Sequence, residues 1–246
     1  MLIHNTQRNR RSEFNLLIMN STLFYLTSWR YRVALWNHVL LREEYARMEP
    51  DRDVVNLVPM LEKRNARKIL DLGCGAGRHI IFLAKRGFEL HGVDSSGTGL
   101  EITRKRLKER ELKAELINGD MKAIPYANSC FDAIICMNTI YHQRKAELQK
   151  TILEIHRILK KNGLILANFH SKRSSRYGKG IKIEEDTFVD ETGPEKGIPH
   201  HYVDEEELKE LLKGFRIIEL RVDEEKVGDY LRSRITVLAE KKIQKY

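Results

Sequence analysis

The sequence predicts an α/β fold built on a mostly parallel sheet with helices on both faces. Three observations predict it. An apolar strand at 68–72 runs straight into a glycine-rich turn, later strands end in acids, and strand and helix periodicities alternate from residue 68 to residue 169. Strands separated by helices pair in parallel, because each helix carries the chain back before the next strand begins. The 246 residues, 41% of them hydrophobic, suit one such domain, placed at 51–246, with an added N-terminal segment at 1–50.

The N-terminal segment opens with Arg8, Arg10 and Arg11 ahead of an apolar run at 14–26, the outline of a secretion signal. Asn15, Asn20, Ser21, Thr22 and Thr27 interrupt that run, and Arg30 and Arg32 close it short of the ~18 residues a membrane span needs. No membrane partner is expected. Met19 offers an alternative start that would make residues 1–18 dispensable. Trp29, Val33, Trp36, Leu40 and Tyr45 then fall at helical spacing, Pro50 breaks the pattern, and a helix is expected at 54–61.

The turn after the first strand carries Gly73, Gly75 and Gly77 and leads into a helix at 80–86 stopped by Gly87. Such a junction presents free backbone N–H groups and a positive helix end to a nucleotide-like ligand. The third position of a G-x-G-x-x-G dinucleotide fingerprint is taken by Arg78, which argues against NAD or FAD. Asp71 can face an ammonium group and would repel a pyrophosphate, so the turn favours a zwitterionic ligand.

A second strand at 89–94 ends in Asp94, about 20 residues beyond Gly73, where an acid reaches a ribose diol. After a helix at 98–110, a third strand at 114–120 ends in Asp120, an acceptor for an adenine amino group, beside the soft side chain of Met121. The fourth strand, 131–138, ends at Asn138 and opens into Tyr141 and His142. An amphipathic helix at 145–160, stopped at Asn162-Gly163, precedes a buried strand at 164–169. The polar stretch that follows, an insertion loop at about 171–203, is too long for a plain connector and should face the cleft. A helix opening at Asp204 and an antiparallel pair at 215–222 and 234–240 complete the chain.

The ordered motifs D-L-G-C-G-A-G, V-D-S-S, N-G-D-M, F-D-A-I-I-C-M-N and R-I-L-K-K-N-G-L resemble the class I S-adenosylmethionine-dependent methyltransferases, in the group with the ubiquinone/menaquinone-type and tellurite-resistance-type small-molecule enzymes. The resemblance covers residues 54–170 well and 202–242 more loosely. It implies a Rossmann-like, seven-stranded sheet with an antiparallel final strand, S-adenosyl-L-methionine as cofactor, and methyl transfer to a nucleophile. It also implies that Asp71, Gly73, Gly75, Gly77, Asp94, Ser95, Asp120, Met121 and Asn138 hold the cofactor; the aromatic stripe of the N-terminal helix reads first as packing on the domain, and the resemblance makes Trp36 and Tyr45 candidates for a lid.

Methyl transfer from a sulfonium asks mainly for in-line alignment, and a base only where the acceptor is protonated. His142, then Tyr141, are the candidates, with His170, Arg176, Tyr177, His200 and His201 as further substrate-side residues. Adjacent His200 and His201 should point apart and have no third partner at metal-ligand spacing, so no metal is expected. Cys74, Cys130 and Cys136 show neither metal spacing nor a disulfide framework, which suggests a reducing cytoplasm.

The net charge of +9 raises nucleic acid as a partner. Arg104, Lys105, Arg106, Lys108 and Arg110 alternate with Glu101 and Glu109 as a solvated helix face does, whereas Lys172, Arg173, Arg176, Lys179 and Lys182 sit in the expected entrance loop. The fourth strand end lacks an N-P-P-Y loop, and no Pro-Cys nucleophile occurs. A small-molecule acceptor ranks first, RNA second, and a catalytically silent cofactor-binding module third. No feature of the sequence specifies an oligomeric state.

Overall fold

The computed structural model describes residues 28–242; residues 1–18 and the alternative start at Met19 lie outside the described residues. Its strands are β1 (Lys68–Leu72), β2 (Glu89–Asp94), β3 (Glu115–Asn118), β4 (Phe131–Cys136), β5 (Leu159–Ser171), β6 (Ile181–Glu184), β7 (Thr187–Val189), β8 (Pro199–Val203), β9 (Phe215–Val227) and β10 (Tyr230–Lys241). Its helices are α1 (Trp29–Val39), α2 (Arg52–Lys63), α3 (Arg78–Ala84), α4 (Gly97–Lys108), α5 (Lys145–Ile158) and α6 (Glu205–Leu211).

The main sheet runs β3-β2-β1-β4-β5-β10-β9, parallel through β5 and antiparallel at β10 and β9. Those seven strands match the mostly parallel, seven-stranded sheet with an antiparallel end that the family resemblance implies. Its strands are apolar on both faces because helices cover both. Ile134, Ile165 and Val237 pack with Leu148, Ile152 and Ile155 of α5 and Leu208 of α6. The alternate residues Ala133, Ile135, Leu164 and Leu166 pack with Leu57 and Leu61 of α2, Ile80 and Leu83 of α3, and Leu100 of α4. Strand order reverses between β1 and β4, so the carboxyl ends of these two strands open a cleft.

Several elements depart from the sequence expectation. The 29–48 helix stops at Val39, and turns carry the chain across the glycine turn to Asp51, whose side chain accepts the Asp53 N–H and caps α2. The 171–203 stretch is not an irregular loop. It folds into the antiparallel set β6-β7-β8, with alternating Ile181 and Ile183 on β6 and fully buried Thr187 on β7. β8 pairs with His170 and Ser171 at the end of β5, while β10 occupies the other edge of His170. The three strands therefore stand beyond the end of β4, at the mouth of the cleft. Short strands among glycines and charges gave no periodic run long enough to read as sheet.

No helix among the described residues is long and apolar enough to cross a membrane.

Candidate active site

The turn after β1 needs left-handed backbone at Gly73, Gly75 and Gly77, with φ of 77°, 49° and 80°. It is held from three sides. Gly73 N–H donates to Val93 O at 2.7 Å, Gly75 N–H donates to Asp94 Oδ2 at 2.7 Å, and Thr103 Oγ1 donates to Gly75 O at 2.9 Å. Arg106 donates to Ala76 O and to Ala46 O, both at 2.6 Å, and so clamps the turn to the chain that follows α1. This arginine of the expected solvated face thus turns inward.

Asp94, at the end of β2, also accepts the Ser96 N–H on Oδ1 at 2.7 Å. Burial raises its pKa to about 6 against these hydrogen bonds. Ser95 and Met121 line the cleft beside it, and Asp120 lines it while accepting the Lys122 N–H at 2.9 Å. Asp71 is placed differently from the expectation. It is 1% exposed, lies behind the cleft wall with Oδ2 unbonded, and has His79 Nδ1 at 3.6 Å. His79 Nε2 accepts the Asp51 N–H at 3.3 Å, so Nδ1 carries the proton and faces the carboxylate. Direct contact of Asp71 with a ligand ammonium group is therefore not provided by this arrangement.

α1 lies across the cleft. Asn37 Oδ1 accepts from Ser96 Oγ at 2.8 Å and from the Thr98 N–H at 3.2 Å. Arg32 forms a two-bond pair with Glu147 on α5, at 2.7 and 2.9 Å, and Lys122 donates to the same carboxylate at 2.7 Å. Burial opposes its charge, but these donors hold the Glu147 carboxyl at about 2. Removing Glu147 would strand the buried guanidinium of Arg32. Glu147→Ala is therefore expected to destabilise the protein by about 2–3 kcal/mol, below the range for a fully buried pair because Glu147 is partly exposed; chemical denaturation measures it.

At the other end, Asn138 takes left-handed φ of 58° and is locked to Asn168, whose Oδ1 accepts the Asn138 N–H at 2.7 Å. Tyr141 and His142 follow on the cleft wall. The Tyr141 ring lies 3.8 Å from that of His170, and His142 packs at 4.9 Å against Trp36 of α1. Tyr45 donates to Glu195 Oε1 at 2.9 Å, and the other oxygen of Glu195 lies 2.8 Å from His200 Nε2 and 3.7 Å from His142 Nε2. Burial pushes His142 down to about 3 against the pull of Glu195 and pushes Tyr141 up to about 12. Burial also raises the Cys74 and Cys136 thiols well above their ordinary range, so neither is a thiolate nucleophile.

Gly73, Gly75, Gly77, Asp94, Ser95, Asp120, Met121, Asn138, Tyr141, His142, Trp36 and Tyr45 all line one cavity of about 460 Å³, within the size range of small-molecule sites. Of the other substrate-side residues, His170 and His200 stand behind His142 rather than on the wall. Three do not reach the site. His201 is fully buried and bonded to Thr187 and Glu207, Tyr177 donates to Asp186, and Arg176 sits over Tyr230 beside Asp190. His200 and His201 point apart because neighbours on a strand face opposite sides.

Sequence reading missed Glu195, Arg32, Asn37, Arg232 and Arg234. Glu195 is one acid in an acid-rich stretch and carried no signal. Arg232 and Arg234 did, since two arginines at alternate positions leading into an apolar strand share one face, and that face borders the cavity.

Residues 69–163 match the family profile described as a methyltransferase domain. The ubiquinone biosynthesis O-methyltransferase of Rickettsia akari is 26% identical over 118 residues, which cover 48% of this chain and 46% of that protein. The demethylmenaquinone methyltransferase of Thermotoga maritima is 31% identical over 112 residues, 45% of this chain and 46% of its own. The chain spans about half the length of the curated relatives it matches. A solved SAM-dependent methyltransferase from Methanosarcina mazei superimposes over 80% of this chain and 100% of its own with a TM-score of 0.67 at 22% identity, a likeness of fold.

Proposed function

We propose that the chain, whose residues 69–163 match the methyltransferase-domain profile, is a class I S-adenosylmethionine-dependent methyltransferase that methylates a small-molecule acceptor in the cavity between the glycine turn and Glu195. The observation that carries this reading is the convergence on one cavity of the glycine turn, Asp94 and Asp120 at one end and Tyr141 and His142 at the other.

The residues fit the cofactor. A Cβ at Gly73 or Gly77 would stand 2.5 Å from a threonine side chain, so both positions are held to glycine in the turn that would face an adenosyl group. When bound, the cofactor supplies an electrophilic methyl group on a sulfonium. Asp94 would accept both ribose hydroxyls, Asp120 the adenine amino group, and Met121 would pack on the ring. The unbonded Oδ2 of Asp71 places negative charge behind the turn and favours a cationic group in front of it. Trp36 on α1 and Tyr45 in the turns after it would close the cleft and exclude water.

His142 stays neutral at working pH and can accept a hydrogen bond from the acceptor's O–H or N–H, with Glu195 beside it to stabilise any imidazolium that forms. His142→Gln is expected to lower kcat by about 10²-fold while cofactor affinity holds. Turnover of labelled cofactor across an acceptor panel, set beside calorimetry, checks both statements; a variant as fast as the parent removes His142 from the chemistry. Cofactor retention without turnover on any acceptor would favour the silent-module reading.

Pairing of the insertion's basic residues supports a small acceptor over RNA. Lys172 is surrounded by Asp186, Asp204 and Glu207, Arg173 pairs with Glu205, and Lys182 with Glu185. Charges neutralised within the protein contribute little to a phosphate groove. The three cysteines are free, in keeping with a reducing cytoplasm as the working compartment.

A further inference from the structure

We propose that His142, His170 and His200 bind a divalent transition metal ion, zinc being the chemical type, at the acceptor end of the cleft. The three come from the loop after β4, the end of β5 and β8, and each offers a ring nitrogen within 4.8 Å of the others. Three imidazoles with an open fourth position form a recurrent donor set for a catalytic zinc ion. Bonds of about 2.0–2.1 Å would draw the rings inward from their present spacing.

Three further observations point to an ion. His142 Nδ1 is buried with no hydrogen-bond partner among the described residues. His200 already has the second contact that metal-bound histidines require, because its Nε2 meets Glu195 Oε2 at 2.8 Å and leaves the rest of the ring free to ligate. Glu195 is itself fixed by Tyr45, which donates to its Oε1 at 2.9 Å, so an acidic side chain stands next to the cluster.

Arg234 is the apparent objection, since a cation is unfavourable beside a guanidinium. It borders the same cavity, its Nε is buried and unbonded, and it has no ion pair among the described residues. An anionic oxygen or sulfur ligand in the fourth position resolves both facts: it offsets part of the ion's charge and partners Arg234. The acceptor class this implies is a hydroxyl or thiol. Bound to the metal, it would release its proton to solvent. Its lone pair would then take the methyl carbon, while the electrons of the broken C–S bond stay on sulfur as the thioether. This use of the ion rests on the methyl-transfer reading and would take the place of His142 as proton acceptor there, since the imidazole lone pair would lie on the metal; the binding site itself rests on neither.

The test is titration of chelator-stripped, full-length protein with Co²⁺, read by its visible d–d bands, with Zn²⁺ as competitor. One ion per chain is expected, with affinity at least about 100-fold lower in His170→Ala and His200→Ala, and about 10- to 100-fold lower in Glu195→Gln. X-ray absorption of the zinc-loaded parent protein needs no variant and should show three imidazoles. No saturable binding, variants that bind like the parent, or a shell with one imidazole or none would each overturn the site. Calorimetry with S-adenosylmethionine on the same samples separates the two readings: loss of cofactor binding with metal binding intact sinks the proposed function and leaves the metal site standing.

Discussion

Asp94→Ala is expected to weaken S-adenosylmethionine binding by about 10²- to 10⁴-fold, measured by calorimetry. The carboxylate would accept two ribose hydroxyls, and hydrogen bonds to a charged group contribute about 1.5–3 kcal/mol each. The same oxygens now hold the N–H groups of Gly75 and Ser96, so the alanine variant also loosens the turn. Unchanged affinity would remove Asp94 from the site. A pH dependence accompanies the effect. The folded-state pKa of about 6 lies above the ordinary 3.8, so this group's contribution to stability is full below about pH 4 and is lost as pH rises through 6. Cofactor binding favours the charged form. The cofactor-free protein should therefore lose more melting temperature between pH 5 and pH 7 than the complex does, and affinity should fall as pH is lowered through 6.

Gly77→Ala should cost about 2–5 kcal/mol, from two causes that can be separated. Left-handed backbone at φ 80° costs a residue with a Cβ about 1–2 kcal/mol, and the new carbon would sit 2.5 Å from Thr103 Cγ2 and 2.6 Å from its Oγ1, an overpacking of about 1–3 kcal/mol. At this chain length the melting temperature should fall by roughly 5–15 °C. In a Thr103→Ala background the steric part should vanish and the backbone part remain. A variant that melts with its parent would show that the position needs neither freedom nor space.

The cofactor half of the cleft was legible because it is local in sequence. In the turn, the spacing of Gly73, Gly75 and Gly77 is itself the geometry, and strand periodicity carries Asp94 and Asp120 to the carboxyl ends of neighbouring parallel strands. The acceptor half was not, because it is assembled from distant segments. His142 and His200 meet through β8 docking on the end of β5, and Glu195 reaches them from a stretch whose composition is that of a surface loop. Asp71 shows the limit within the legible half: its position in the motif was evident, its burial behind the wall was not.

What the sequence determined by itself, then, is the run of strands and helices along the chain up to β5 and the glycine turn with its two acids, since each follows from periodicity or fixed spacing within a short run of chain. Only the tertiary structure decided that α1 covers the cleft through Asn37 and Arg32, that the 171–203 stretch is sheet, and that three histidines share one end. Those are contacts between residues far apart in the chain, which hydrogen bonding and burial select only after the fold has formed.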